Sequence, residues 1–403
     1  MRKFCIELIA LFLALQPCYG QQNPSMPTTD TARLIVEDVQ CRGNVTTSCD
    51  FIRDRLYVAI GKPVDDEEIG NAKLRLSSLP NFTAVNIYLE KGSAKGRVIV
   101  VIEVAEASPW TKELVVSTVY RDSVTQQRFA GRISNENLFG TGKVLSLEGI
   151  GVLPISGGDG SGYYGRLQYV DPRLLSTSKY FLIAGTFYEK VAFDYSHGTS
   201  LNHQYFGMDL TVGRRIFDFS YVTLGYRHLP TSILDNSIKQ SDGSLRIENN
   251  SFRDQAILSY GWNTEDDPYF PTHGSRFETA VTWDPHQNLI DFQGGYRYTW
   301  NAQSSIWTLI AGRSRDLVYR QPLDRNFELA VSYARAISWR ESSDVQRGRW
   351  YIEPGVGSFA VSSGGDSSAE IGIKAGVRLQ SKTYGIVDLY FIASDTVHTG
   401  SNR

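Results

Sequence analysis

The sequence predicts a mostly β chain: a transmembrane antiparallel β-barrel of about 15–16 strands, preceded by one small α+β domain. Three observations carry that prediction. An export signal opens the chain, no later stretch has the roughly 18 consecutive apolar residues that a spanning helix needs, and from Trp110 onward apolar and polar side chains alternate in segments of about ten residues. A chain that crosses a membrane without helices must close into a barrel, because in lipid every backbone donor and acceptor needs an internal partner. Composition agrees: 403 residues include 36 Gly, 22 Tyr and 19 Phe but only 3 Met, which suits a turn-rich sheet. A net charge of -2 gives no basic footprint for nucleic acid.

Residues 1–20 read as a secretory signal: Arg2 and Lys3, the apolar run Ile6 to Leu15, and the small-x-small site Cys18-Tyr19-Gly20 before Gln21. Cys18 would instead serve a lipoprotein signal, for which Gln16 and Pro17 are poor neighbours. After cleavage only Cys41 and Cys49 remain, in a compartment where disulfides persist, so a short-loop bridge between them is expected.

Residues 31–106 read as the α+β domain. A short strand holds Leu34, Val36 and Val39, and Cys41-Arg42-Gly43-Asn44 turns the chain. After Ser48, a suitable N-cap, Ile52, Leu56, Ala59 and Ile60 recur at helical spacing, and Gly61 is expected to stop the helix. The acidic run Asp65 to Glu68 favours a second helix start, with Ile69, Ala72, Leu76 and Leu79 on its buried face. Two alternating strands follow, one with Val85, Ile87 and Leu89 and one with Val98, Val100, Ile102 and Val104. Either of them, Phe82 to Leu89 or Arg97 to Val104, would supply a free edge for an incoming strand.

Residues 112–403 read as the barrel, with about fifteen alternating segments between Glu113 and Ile392. One face of the segment near the end carries Ile371, Ile373, Ala375, Val377 and Leu379; the other carries Glu370, Lys374, Arg378 and Gln380. The same split sets Met208, Leu210 and Val212 against Asp209 and Thr211, and Phe277, Val281 and Trp283 against Arg276 and Glu278. Trp and Tyr near segment ends fit an oily exterior with aromatic girdles rather than an oily interior. The polar insertions Leu153 to Gly162, Ser196 to Asn202, Pro230 to Asn250 and Ser362 to Ser368 are expected as outer loops, and Arg214 to Asp218 as a short turn on the opposite side.

Three stretches of the first domain, "VQCRGN" (Val39 to Asn44), "GKPVDDEEIGNAKLRLSSLPNFTAVNI" (Gly61 to Ile87) and "VIVVIEVAE" (Val98 to Glu106), resemble a POTRA domain, the periplasmic module that precedes certain outer-membrane barrels. Within the barrel, "NENLFGTGKVLSL" (Asn135 to Leu147) and "DDPYFPTHGSRF" (Asp266 to Phe277) look like the two signatures of the BamA/TamA-type bacterial surface antigen superfamily. In the first, Gly140 and Gly142 after Asn137 and Leu138 permit a tight turn. In the second, Asp267, Pro268, Phe270, Pro271 and Gly274 make a stiff corner, the prolines removing two donors and fixing two dihedrals. Such a corner is expected to be a rigid turn between two strands.

That resemblance implies an outer-membrane protein acting in insertion, assembly or translocation of exported proteins. Its partners would be outer-membrane lipid and exported polypeptides taken up by the POTRA-like domain in the periplasm. Two departures qualify it. Family barrels carry an inward loop with a Val-Arg-Gly-aromatic tip between the eleventh and twelfth strands, whereas "IAGRSRDLVYRQPLDRNFELAVSY" (Ile310 to Tyr333) has no such tip. "QRGRW" (Gln346 to Trp350) lies one strand too late, which leaves Glu353, the matching wall carboxylate, without its usual partner. Family barrels also close on a terminal aromatic strand, whereas "VDLYFIA" (Val387 to Ala393) runs into "SDTVHTGSNR". An unpaired edge would call for an unusual seam, an accessory protein or a second copy. A passive channel or structural barrel is therefore the alternative. No nucleophile–base constellation, metal-ligand cluster or phosphate loop stands in the sequence, so neither enzymatic activity nor a cofactor is expected.

Overall fold

The computed structural model describes residues 34–398 apart from 122–123, 157–158, 196–198, 230–236, 240–244, 248–252, 286–288, 303–304, 314–326, 338–344, 361–366 and 382–383. The export signal expected at residues 1–20 lies outside the described residues.

The first unit runs β1 (Leu34–Arg42), α1 (Cys49–Leu56), β2 (Pro63–Val64), α2 (Asp66–Ser77), β3 (Phe82–Lys91) and β4 (Arg97–Glu106). Its sheet order is β2-β1-β4-β3. Strand β4 is therefore central, parallel to β1 and antiparallel to β3, which corrects Arg97 to Val104 as a candidate free edge. Only β3 leaves a long edge open. Both helices cover one face of the sheet, burying Phe51, Ile52, Leu56, Ala72 and Leu76 against Val36, Val39, Val100 and Ile102. A disulfide joins Cys41 to Cys49 and ties the end of β1 to the start of α1.

Helix α1 starts where expected, the Ser48 side chain accepting from Phe51 N. It stops at Leu56, short of Gly61, because another residue takes its last carbonyls. Arg75 of α2 donates from Nε to Arg55 O at 3.0 Å and from its terminal nitrogen to Leu56 O, while its guanidinium covers the Tyr57 ring at 4.6 Å. Tyr57 turns left-handed at φ 60 and ends the helix. Helix α2 opens on a capping box, with Glu68 N donating to Asp65 at 2.8 Å and Asp65 N donating to Glu68 at 3.4 Å.

The barrel begins with β5 (Trp110–Arg121), β6 (Val124–Leu138), β7 (Lys143–Ser156), β8 (Asp159–Asp171), β9 (Tyr180–Tyr195), β10 (Thr199–Phe217) and β11 (Ser220–Leu229). A hairpin of β12 (Ser237–Lys239) and β13 (Leu245–Ile247) follows. The wall resumes with β14 (Arg253–Asn263), β15 (Gly274–Asp284), β16 (Leu289–Ala302), β17 (Ser305–Arg313), β18 (Phe327–Ala336), β19 (Val345–Ala360), β20 (Ser367–Ser381) and β21 (Gly385–His398). Because β11 pairs directly with β14 from Ser220 to Leu229, the β12–β13 hairpin stands outside the wall, which has 15 strands. Strands also extend into two expected loops: β7 reaches Ser156 and β8 starts at Asp159, so most of Leu153 to Gly162 is ladder, and β10 starts at Thr199. The turn expected at Arg214 to Asp218 is tighter than expected, centred on Asp218 and Phe219.

Alternation sorts the side chains as expected. Ile371 and Ile373 are 56% and 45% exposed on the outer face, while Lys374 and Arg378 of the same strand face the lumen. A row of rings crosses successive outer strands: Trp300 to Trp307 at 6.4 Å between centroids, Trp307 to Tyr333 at 4.9 Å, and Tyr333 to Trp350 at 5.3 Å. These rings lie toward the rim that carries the first unit, as an interfacial girdle would. Inside, charges are paired, as in Arg166 with Asp209 at 2.9 Å and Arg276 with Glu278 at 2.6 Å.

An odd number of up-and-down strands forces the first and last to point the same way. Strand β21 accordingly pairs with β5 in parallel, from Ile386 opposite Glu113 to Ser394 opposite Arg121. Closure within one chain leaves no open edge for a second copy to cover. A parallel ladder is slightly less stable per residue than the antiparallel ladders around it, so this seam is weaker per residue than the joins beside it.

Candidate functional site

Two structures meet at one rim of the barrel: the docked first unit and a corner that folds into the lumen. The docking surface is built on three consecutive rim turns. At the β6–β7 turn, Ser48 N donates to Gly140 O at 2.8 Å, Asn137 Nδ2 to Thr47 Oγ1 at 2.8 Å, and Asn81 Nδ2 to Glu136 O at 2.8 Å. Asn137 also organises its own turn by accepting from Gly142 N at 2.9 Å. Gly140 sits at φ 70, and a Cβ there would lie 2.1 Å from the Thr46 carbonyl oxygen; one on Gly142 would lie 2.2 Å from the Phe51 ring. The first signature thus supplies both a turn and the seat for α1.

At the β8–β9 turn, Arg173 Nε meets Asp54 Oδ2 at 3.0 Å and Ser178 Oγ donates to Asp54 O at 2.7 Å. At the β10–β11 turn, Arg75 pairs with Asp218 at 3.2 Å, and Asn71 Nδ2 donates to the same carboxylate at 3.3 Å. Desolvation at this junction is severe. Burial pushes the Arg55 guanidinium down to about 9, and the neighbouring charge of Arg215 adds to the effect. The loop that carries Thr46 and Thr47 is held by Glu106: Thr46 Oγ1 donates at 2.7 Å and Thr47 N at 2.6 Å. Burial opposes ionisation of that carboxyl, but these hydrogen bonds prevail and bring it to about 2.

The second signature is more than the rigid turn expected of it. Residues 264–273, between β14 and β15, fold inward and reach the far wall. Asp266 closes the loop by accepting from Thr272 N at 2.8 Å and Thr272 Oγ1 at 2.5 Å. Asp267 shapes the tip through Tyr269 N and Phe270 N, both at 2.8 Å, and its second oxygen binds Arg347 at 2.7 Å. Phe270, 6% exposed, lies beneath Arg347 at 4.3 Å and Arg349 at 5.4 Å. Arg349 also donates to Pro271 O at 3.2 Å, and Arg378 to Tyr269 O at 3.2 Å. At the base, Arg297 grips Glu265 through two contacts of 2.6 and 2.5 Å, and Gly274 opens β15 at φ 112.

The tip faces the seam. A cavity of about 390 Å³ is lined by Pro268 and Tyr269 of the corner, Glu113 of β5, and Ile386 and Asp388 of β21. Asp388 anchors its strand by accepting from Tyr351 Oη at 2.8 Å and from Arg378 at 2.5 Å, and Arg132 binds Glu113 at 3.2 Å. Arg378 therefore touches both the corner and the last strand.

Sequence reasoning set "QRGRW" aside, yet its Arg347 and Arg349 hold the corner. An arginine–carboxylate contact between an inward segment and the wall exists here with its polarity reversed: carboxylate on the inward piece, arginines on the wall. Glu353 faces the lumen from β19, and among the described residues it makes no hydrogen bond or ion pair; its ladder neighbour Lys374 covers the Tyr390 ring at 4.4 Å. Residues 314–326, where an inward loop between the eleventh and twelfth strands would lie, are outside the described residues. The sequence carried no signal for Arg75, Arg173, Arg347, Arg349 or Arg378, since each contact joins positions far apart in the chain.

Residues 137–319 match the family model of the Omp85 superfamily domain. No curated protein matches the chain. Among solved structures, CdiB from Escherichia coli aligns over 91% of this chain and 73% of its own, with a TM-score of 0.59 and 13% identity. CdiB from Acinetobacter baumannii aligns over 87% and 69%, with a TM-score of 0.57 and 10% identity. BamA from Haemophilus ducreyi lacking POTRA domains 1–3 aligns over 92% and 82% at 14% identity, with a TM-score of only 0.45. At such identities the two CdiB structures share a fold with this chain. The glycine turn that seats α1 and the corner that crosses the lumen both fall inside the matched segment, residues 137–319, which is an Omp85 superfamily domain.

Proposed function

We propose that this protein inserts, assembles or translocates exported polypeptides at the outer membrane, its first unit acting as a POTRA domain in the periplasm. The observation that carries the reading is the open edge of β3, presented by a domain that is hydrogen-bonded to the rim of an Omp85-type barrel. An extended client strand adds to such an edge through main-chain hydrogen bonds, which demand little of its sequence. Docking at three turns then delivers the client beside a parallel seam braced from within by the corner.

The barrel does not act as an enzyme in this reading: its work is to bind and release strands. The Omp85 superfamily domain over residues 137–319 and the fold shared with CdiB support the same class of activity. Depleting the protein should remove other β-barrels or a secreted client from the cell envelope, scored by quantitative proteomics of the membrane and secreted fractions. Unchanged client levels with altered solute permeability would overturn the reading in favour of a passive channel.

A further inference from the structure

One short loop of the first unit, residues 43–48 between β1 and α1, grips the β6–β7 turn of the barrel. Thr47 Oγ1 accepts from Asn137 Nδ2 at 2.8 Å, Ser48 N donates to Gly140 O at 2.8 Å, and the Thr46 carbonyl lies against Gly140. The Cys41–Cys49 bridge encloses this loop. Cys41 is the penultimate residue of β1 and Cys49 the first of α1, so the bridge sets the distance between the two ends of the docking loop.

The other supports act elsewhere. Glu106 holds the tip of the loop, accepting from Thr46 N at 2.9 Å and Thr47 N at 2.6 Å, and Asn44 Nδ2 donates to Thr47 O at 2.9 Å. Helix α1 has only eight residues, about two turns, and a helix that short does not hold its first turn unaided. Its last turn is fixed by Arg75 at Arg55 O, and its middle by Phe51, Ile52 and Leu56 in the core and by Arg53 on Val39 O. These contacts keep α1 on the sheet whether or not the bridge exists. The end that points Ser48 N at Gly140 O is the end that Cys49 ties down.

We propose that oxidation of Cys41 and Cys49 licenses the docking of the first unit on the barrel rim. The inference rests on the docked geometry and not on what the unit binds. Thiols stay reduced where a bacterial chain is made, and disulfides persist outside that compartment. The exported chain therefore arrives with two thiols and a first unit that folds but seats loosely, because a loop with free ends must be ordered again on the rim. One thiolate attacks the disulfide of an external thiol–disulfide oxidant, and the second displaces the oxidant from the mixed disulfide. The pair gives up two electrons and two protons, and the oxidant leaves as a dithiol. Both cysteines are half-buried rather than sealed in the core, which leaves them open to this exchange. The bridge then presets Thr47 and Ser48 for Asn137 and Gly140, so firm seating follows export.

Limited proteolysis of the detergent-purified full chain, oxidised or reduced with tris(2-carboxyethyl)phosphine, tests this. Cleavage between Glu106 and Trp110 should run about tenfold faster after reduction and return to the oxidised rate on treatment with oxidised glutathione. Cys41→Ser/Cys49→Ser should cleave at the fast rate under both conditions. In Gly140→Ala, where the seat of the loop is already disturbed, reduction should add less than about twofold, because the two changes act on one contact. Equal rates in the oxidised and reduced protein would overturn the proposal. First cuts inside residues 34–106 would also overturn it, by making the bridge a support of the unit's own fold. The same acceleration in Gly140→Ala as in the unsubstituted protein would do so too, by placing the effect of the bridge away from this turn.

Discussion

Phe270→Ala is expected to release the corner and open the lumen. The ring is almost fully buried, held by two guanidinium groups, and it is the one large apolar side chain that the corner inserts against the far wall. Truncating a buried phenylalanine costs about 3–5 kcal/mol, and the lost cation–π contacts fall within that figure. What remains is the Asp267–Arg347 pair, partly exposed on the arginine side and worth little without the ring beneath it, and the two single hydrogen bonds from Arg349 to Pro271 O and from Arg378 to Tyr269 O. An energy of about 3 kcal/mol changes the ratio of docked to released corner by more than a hundredfold. In planar bilayers the unsubstituted protein should show rare, small openings and Phe270→Ala frequent, larger ones. Identical conductance traces would show that the corner does not obstruct the lumen.

Gly140→Ala should detach the first unit from the rim. The backbone at φ 70 costs a residue with a Cβ about 1–2 kcal/mol, and here the added methyl would also meet the Thr46 carbonyl oxygen at 2.1 Å. Backbone atoms on both sides prevent a cheap escape, so the Ser48 N to Gly140 O bond at 2.8 Å must break. Fold of the unit itself should survive, since its core contains no barrel residue. Limited proteolysis should then cut the connection between Glu106 and Trp110 many times faster than in the unsubstituted protein. Equal protection would mean that the other two turns hold the unit alone.

The parts legible in sequence share a cause: they depend on local periodicity. Alternation of Ile371, Ile373 and Ala375 with charged neighbours is visible within ten residues, and it correctly separated oily exterior from polar lumen. Ser48 and the Asp65 to Glu68 run announced helix starts for the same reason, because capping groups act on their own first turn. Contacts across the fold left no such trace. Helix α1 ends early because Arg75, some twenty residues on, takes its carbonyls. The stiff corner was recognisable from Pro268 and Pro271, but its destination is Arg347, 80 residues downstream. Which of two neighbouring strands forms an edge depends on whether β1 inserts beside β4, a long-range choice that alternation cannot express.

Closure was the largest open question, since a chain with an odd set of strands has either a parallel seam or an unpaired edge. The structure answers it with β21 beside β5, and Ser117 lies directly opposite Tyr390 in that register. Both side chains face the lumen, Ser117 fully buried and Tyr390 under Lys374. The most direct test is therefore the double variant Ser117→Cys/Tyr390→Cys, oxidised in intact membranes and run on a non-reducing gel. A disulfide formed within single chains, efficient at this pair and weaker for Ser117→Cys/Ile392→Cys two residues out of register, is the predicted result. Cross-linking between two copies, or none at the registered pair, would contradict a barrel that closes upon itself.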